Sequence, residues 1–163
     1  MPGTTTRRSV DVFVEIPKGS RTKYELDKAT GRIRLDRVLY SSVHYPADYG
    51  FVTETQGGDG DPLDALIVVE EPTFPGCIVP TRPIGTLIMR DSKGPDEKIL
   101  GVPIGDPRFD RVRELKDLAP HWLREIETFF STYKKLEGDD VELKGWRGSR
   151  TAWTLIEKGR KRA

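Results

Sequence analysis

The chain predicts a mainly β fold of the α+β class, with helices confined to its last third. Short runs of β-branched and apolar residues recur through the first two thirds, Gly and Pro interrupt them at close intervals, and a clear helical period appears only after position 119. Many short strands of this kind close into a barrel or stack as a sandwich.

The elements follow in order. In "VDVFVEIP", Val10, Val12, Val14 and Ile16 fall on one face while Asp11, Phe13 and Glu15 fall on the other, the period of a half-buried strand. "TKYELDKATGRIRLDRVLY" reads as a hairpin: Tyr24 and Leu26 alternate with Lys23 and Glu25, Thr30-Gly31 turns, and Ile33 and Leu35 return. Lys23 and Glu25 therefore share a face. Further strands are predicted at Ala65 to Val69, at "PIGTLIMRD" and at "KILGVP", each bounded by Gly or Pro. "PHWLREIETFFSTYKKLEG" predicts a helix, because Leu123, Ile126, Phe130 and Tyr133 keep one apolar face, Pro120 stands where a missing N–H costs little, and Gly138 supplies a stop. A shorter helix is predicted over "RTAWTLIEKG". No internal repeat or linker divides the sequence, so residues 1–163 read as one domain with short flexible ends at about 1–8 and 158–163.

Composition narrows the function. Lys and Arg number 27 against 26 Asp and Glu, giving a formal net charge of +1, so no overall field attracts nucleic acid or a membrane surface. The single cysteine, Cys77, makes neither an intrachain disulfide nor a thiolate metal site, and "MPGTTTRRSVDV" carries no apolar export segment. The longest apolar run, Ala65 to Val69, is far too short for a bilayer. A soluble, cytoplasmic protein is expected, with no nucleic-acid or membrane partner.

Against that balanced background one stretch stands out. "GGDGDPLDALIVVEEP" places Asp59, Asp61 and Asp64 at the entrance of a strand expected to be buried. A solvated turn explains Asp-Gly-Asp by itself but not Asp64. In an extended chain Asp59 and Asp61 point one way and Asp64 the other, so the three converge only if the chain bends at Gly60 and Pro62. A calcium loop of the EF-hand kind fails, because its sixth position is Asp64 in place of the required glycine and no helix follows. Magnesium, which takes hard oxygen ligands from a few carboxylates, waters and phosphates, suits the cluster better.

Elsewhere Glu15, Glu25, Asp91 and Asp96 add carboxylates, while Lys23, Arg37, Tyr45, Tyr49, Lys98, Tyr133 and Lys134 add cations and phenols. Singly, each has a plainer role on a solvent face, in a core or at a helix end. Together they have the composition of a phosphoryl-transfer site, with acid groups for metals and basic groups for phosphate.

These residues resemble the soluble family I inorganic pyrophosphatases, especially the short bacterial type. "DGDPLDALIV" matches that family's signature with all three aspartates, and the likeness extends through "VEIPKGSRTKYELDKATGRIRLDRVLYSSVHYPADYGFV", "DSKGPDEKILGVP" and "FFSTYKKLEG", from Val10 to about Trp146. The resemblance implies a five-stranded OB-like closed barrel with two flanking helices, Mg²⁺ as cofactor, diphosphate as substrate and a homohexamer. It implies that Asp59, Asp64 and Asp96 hold the first magnesium, with Asp64 also reaching the second. Glu25, Asp91 and Asp96 would serve ions entering with substrate, and Glu15 would act through water. Lys23, Arg37, Lys98, Tyr133 and Lys134 would grip the phosphates; Asp61 would accept the proton of the attacking water, and Tyr49 would tune that water or its metal. Arg37 and the lysines would stabilise charge on the departing phosphate.

His44, His121 and Cys77 are not needed for this chemistry. Pro95 is a departure, expected to stiffen a loop between Asp91 and Asp96. Two rivals remain: a non-enzymatic OB-like binding barrel, which calls for a basic groove with stacking aromatics, and a hydrolase of organic diphosphates.

Overall fold

The computed structural model describes residues 8–163. Its strands are β1 (Val10–Ile16), β2 (Thr22–Asp27), β3 (Arg32–Val38), β4 (Asp48–Val52), β5 (Asp64–Ile67), β6 (Ile78–Asp91), β7 (Gly94–Pro103) and β8 (Glu142–Gly148), and its helices are α1 (Pro120–Thr132) and α2 (Ser149–Arg162). β1 pairs with β4, β4 with β5, β5 in parallel with β7, β7 with β6, and β6 again with β1. That closed ring is the expected five-stranded barrel. β6 is long enough to serve further partners: Ile78 to Thr81 pair with β1, while Gly85 to Arg90 also pair with β8. β2 and β3 form a separate hairpin, with a register shift between Lys23 and Tyr24.

Along β1 the predicted alternation holds, with Val10, Val12, Val14 and Ile16 buried. Two strands were not predicted. β4 hides its period because its buried face carries Asp48 and Gly50 beside Val52, while Tyr49 and Phe51 are only half-buried. Gly50 is required by contact: a Cβ there would lie 1.8 Å from the Phe13 carbonyl oxygen across the β1–β4 pair. β8 is mostly exposed or half-buried and is broken by Gly145 at φ 111°, so it shows little apolar alternation.

Two apolar clusters fill the molecule. One packs α1, through Ile126, Phe129 and Phe130, on Leu66, Val68, Leu87 and Leu100; the other packs α2, through Ala152 and Ile156, on Val12, Leu63, Ala65, Ile67 and Ile99. The run Ala65–Val68 feeds both by alternation, which is why it reads as continuously apolar.

Several boundaries differ from expectation. α1 stops at Thr132, and Tyr133 and Lys134 lead into a short 3₁₀ turn at Lys135–Glu137 before Gly138 at φ 80°. Pro95 does not sit in a loop: it pairs with Arg90 inside β7, leaving Ser92 and Lys93 as the turn. Of the two expected flexible ends, residues 1–7 lie outside the described residues. At the other end the chain remains helical through Arg162, because α2 is anchored by buried Gly159.

Candidate active site

One cavity of about 410 Å³ gathers every residue singled out in the sequence. β1 supplies Glu15; the β2–β3 hairpin supplies Lys23, Glu25 and Arg37; β4 supplies Tyr49; and the loop before β5 supplies Asp59 and Asp61. Asp64 opens β5, Asp91 and Asp96 flank the β6–β7 turn, Lys98 lies on β7, and Tyr133 and Lys134 follow α1. Tyr45 completes the aromatic part of the lining. His44, His121 and Cys77 do not line it.

Strand register builds the centre. Asp96 and Lys98 are two apart on β7 and share a face, and parallel pairing sets Asp64 beside Lys98. The Lys98 ammonium donates to Asp64 Oδ2 and to the Tyr49 hydroxyl, each at 2.9 Å, and sits 2.9 Å from Asp96 Oδ2. Its side chain is 2% exposed. Burial alone would push its pKa down, but Asp64, Tyr49 and Asp96 hold it well above the usual lysine value. Lys98 is therefore a permanent cation, 5.1 Å from the centroid of the Tyr49 ring and 5.3 Å from that of Phe130. Burial, reinforced by Asp64, pushes the Tyr49 hydroxyl well above its ordinary value and keeps it protonated.

The aspartate loop bends at Gly60, where φ is 90°. Asp59 Oδ1 accepts from the Asp61 N–H at 3.0 Å, the Gln56 amide donates to the Gly60 carbonyl at 3.1 Å, and the Gly57 N–H donates to the Asp61 carbonyl at 2.6 Å. Asp59 and Asp61 remain exposed, whereas Asp64 is half-buried. Glu15 accepts from the Leu26 N–H at 2.8 Å. Burial, with the neighbouring charges of Asp64 and Glu25, still pushes its pKa up to about 7.

The remaining cations are held by carboxylates, of which Asp36, Glu137 and Asp139 are not among the residues singled out from the sequence. Asp36 Oδ2 accepts from both Lys23, at 3.0 Å, and Arg37, while Arg37 Nε lies 3.0 Å from Glu137 Oε1. Lys134 reaches Asp91 Oδ2 at 3.3 Å and Asp139 Oδ2 at 3.8 Å. Asp36 directly precedes Arg37, yet strand alternation places the two on opposite faces, so its role depends on the register shift in the hairpin.

Among the described residues no three Asp, Glu, His or Cys side chains are already drawn together closely enough to hold a metal ion. Carboxylates repel, and the Lys98 ammonium lies between Asp64 and Asp96. The donor set nevertheless fits a hard divalent cation: it consists of carboxylate oxygens, and seven Asp and Glu side chains line the cavity against five Lys and Arg.

The inorganic pyrophosphatase family model matches residues 12–163. An inorganic pyrophosphatase of Geobacillus stearothermophilus is 52% identical over 149 residues, covering 91% of this chain and 90% of its own length. One of Streptomyces coelicolor is 52% identical over 153 residues, covering 93% and 94%. Among solved structures, the inorganic pyrophosphatase of Thermus thermophilus superposes with a TM-score of 0.93 at 40% identity, covering 99% of this chain and 95% of that one. The Helicobacter pylori enzyme gives 0.93 at 43% identity, covering 96% and 94%.

Proposed function

The chain belongs to the inorganic pyrophosphatase family, and from that premise we propose that its acidic cavity hydrolyses inorganic diphosphate to two orthophosphates by direct attack of water. The observation that carries this reading is convergence. Carboxylates and cations spread along the chain from Glu15 to Lys134 line one cavity.

The family is metal-dependent, and Mg²⁺ is the ion we infer. When bound, paired magnesium ions supply Lewis-acid neutralisation of the diphosphate and make water acidic enough to react near neutral pH. Asp59, Asp64 and Asp96 are assigned to the first ion, with Asp64 reaching the second; Glu25 and Asp91 join Asp96 on the side where further ions enter, and Glu15 acts through water. Lys23, Arg37, Lys98, Tyr133 and Lys134 orient the two phosphates and offset the charge that builds on the departing one. The Tyr49 hydroxyl, fixed by Lys98, orients the reacting water. Asp61 accepts its proton: the residue is exposed, and among the described residues its carboxylate has no hydrogen-bond partner. No covalent intermediate is needed.

The reading extends to a single-domain, cytoplasmic homo-oligomer, of hexameric order by family resemblance. Among the described residues no helix is long and apolar enough to cross a membrane. Exposed Phe74 and Ile78 support self-association, Ile78 pairing with Phe13, which stacks on Phe51. Sedimentation of the purified chain tests the assembly.

Orthophosphate release from diphosphate, titrated with Mg²⁺ and compared with release from nucleoside diphosphates, tests the activity. Asp61→Asn is expected to lower kcat by about 10²- to 10⁴-fold, the usual range for a lost general base, with Tm unchanged because the residue is exposed. Near-normal turnover in that variant would remove Asp61 from the reaction.

A further inference from the structure

We infer that helix α2 belongs to the catalytic apparatus, and that Gly159 is a positioning residue for the loop carrying Asp59 and Asp61. The inference rests on the metal and proton roles proposed for those aspartates, although the contacts themselves do not.

Gly159 touches both stems of the loop. Its carbonyl accepts from the Gln56 N–H at 3.0 Å while also accepting from Ala163 N–H at 3.2 Å within the helix. A Cβ at position 159 would lie 3.1 Å from Leu63 Cδ1, 3.1 Å from Thr55 Cβ and 3.4 Å from the Gln56 carbonyl oxygen. Glycine thus lets the helix backbone meet the entry stem and the exit stem at once. The neck is closed by Thr55, whose Oγ1 donates to the Val52 carbonyl at 2.7 Å and accepts from the Leu63 N–H at 3.2 Å.

From that neck the order passes into the loop. Gln56, held by its backbone to Gly159, holds the Gly60 carbonyl with its side chain, and Gly57 holds the Asp61 carbonyl. The helix is itself fixed, because Ala152 and Ile156 are fully buried in the same apolar cluster as Leu63. Leu63 is the residue immediately before Asp64. Shifting α2 by a few tenths of an ångström therefore moves the frame in which Asp59, Asp61 and Asp64 must meet.

Gly159→Ala separates positioning from plain support. Alanine favours a helix over glycine but its Cβ crowds Leu63 and Thr55, so a purely structural position would shift Tm alone and leave kinetics and magnesium affinity unchanged. Positioning instead predicts that kcat falls roughly tenfold and that magnesium affinity, measured by calorimetry on the chain without diphosphate, weakens roughly tenfold. KM for diphosphate should stay within about twofold, since Lys23 and Arg37 lie on the hairpin. Leu63→Val, which removes the crowding methyl, should restore part of both losses when combined with Gly159→Ala.

A second measurement uses the wild-type chain: the Gln56 amide should be protected from hydrogen exchange and should open together with the last turn of α2. Wild-type kcat and magnesium affinity in Gly159→Ala overturn the inference, as does a Gln56 amide that exchanges like an unbonded one. Normal turnover by Asp61→Asn together with weakened magnesium binding by Gly159→Ala removes the proton role of Asp61 yet supports positioning of Asp59.

Discussion

The barrel wall of the cavity sets its charges by strand register, whereas the hairpin wall holds its charges by ion pairs near the surface. Asp64, Asp96 and Lys98 sit on neighbouring strands of a closed sheet, with Lys98 fully buried. In β2 and β3 no residue is fully buried, and the two strands pair only with each other; Asp36 is shared by Lys23 and Arg37. The contrast separates two tasks. On the proposed function, the barrel wall would prepare a charged centre before substrate arrives, and the hairpin wall would keep cations that can exchange one anion for another.

The largest way to break that contrast is Lys98→Met. Removing one partner of a buried ion pair leaves its carboxylates uncompensated; because Asp64 and Asp96 are partly exposed, we expect a loss of about 2 to 3 kcal/mol in metal-free protein. Adding Mg²⁺ should recover part of that loss, since a dication restores the missing positive charge. Thermal unfolding in chelator and in magnesium checks both statements. A variant as stable as its parent in chelator would show that the centre is not electrostatically prepared.

A smaller effect separates the walls by pH. The Glu15 pKa is raised from 4.5 to about 7 by burial, with Asp64 and Glu25 adding to it. A carboxyl whose folded pKa exceeds its unfolded value contributes stability that is complete below pH 4.5 and lost as pH rises through 7. Metal-free wild-type protein should therefore lose about 1 to 2 kcal/mol relative to Glu15→Gln across that window, after discounting for partial exposure. Parallel Tm profiles for the two proteins would show that Glu15 is not under this strain.

How legible the site was follows the same division. β1 was readable because four aliphatic residues alternate, and the aspartates of the motif were conspicuous by their placement before an apolar run. β4 was not, because its buried face holds Asp48 and Gly50 and inverts the polarity that marks a strand. The pairing of Asp64 with Lys98 joins residues 34 positions apart through parallel strands, and no local period encodes it. Asp36 and Glu137 were missed for a different reason: their importance lies in which cations they hold, and those contacts depend on a register shift and on a short turn after α1. The length of α2 was underestimated because its last turn is strongly basic outside and carries only Gly159 on its buried side.

The smallest expected effect bears most directly on the hairpin. Asp36 neutralises Lys23 and Arg37, and those two cations hold its pKa down although partial burial opposes them. Near-surface pairs of this kind contribute about 0.2 to 1 kcal/mol, so Asp36→Asn should leave Tm nearly unchanged. If Asp36 competes with diphosphate for the cations, the same energy appears as a KM lower by up to roughly fivefold, with kcat little altered and the gain shrinking as salt is raised. If Asp36 instead aligns the cations, KM rises. Steady-state kinetics on the variant at low and high ionic strength distinguishes the two, and a rise in KM would mean that the hairpin, like the barrel, is organised before substrate arrives.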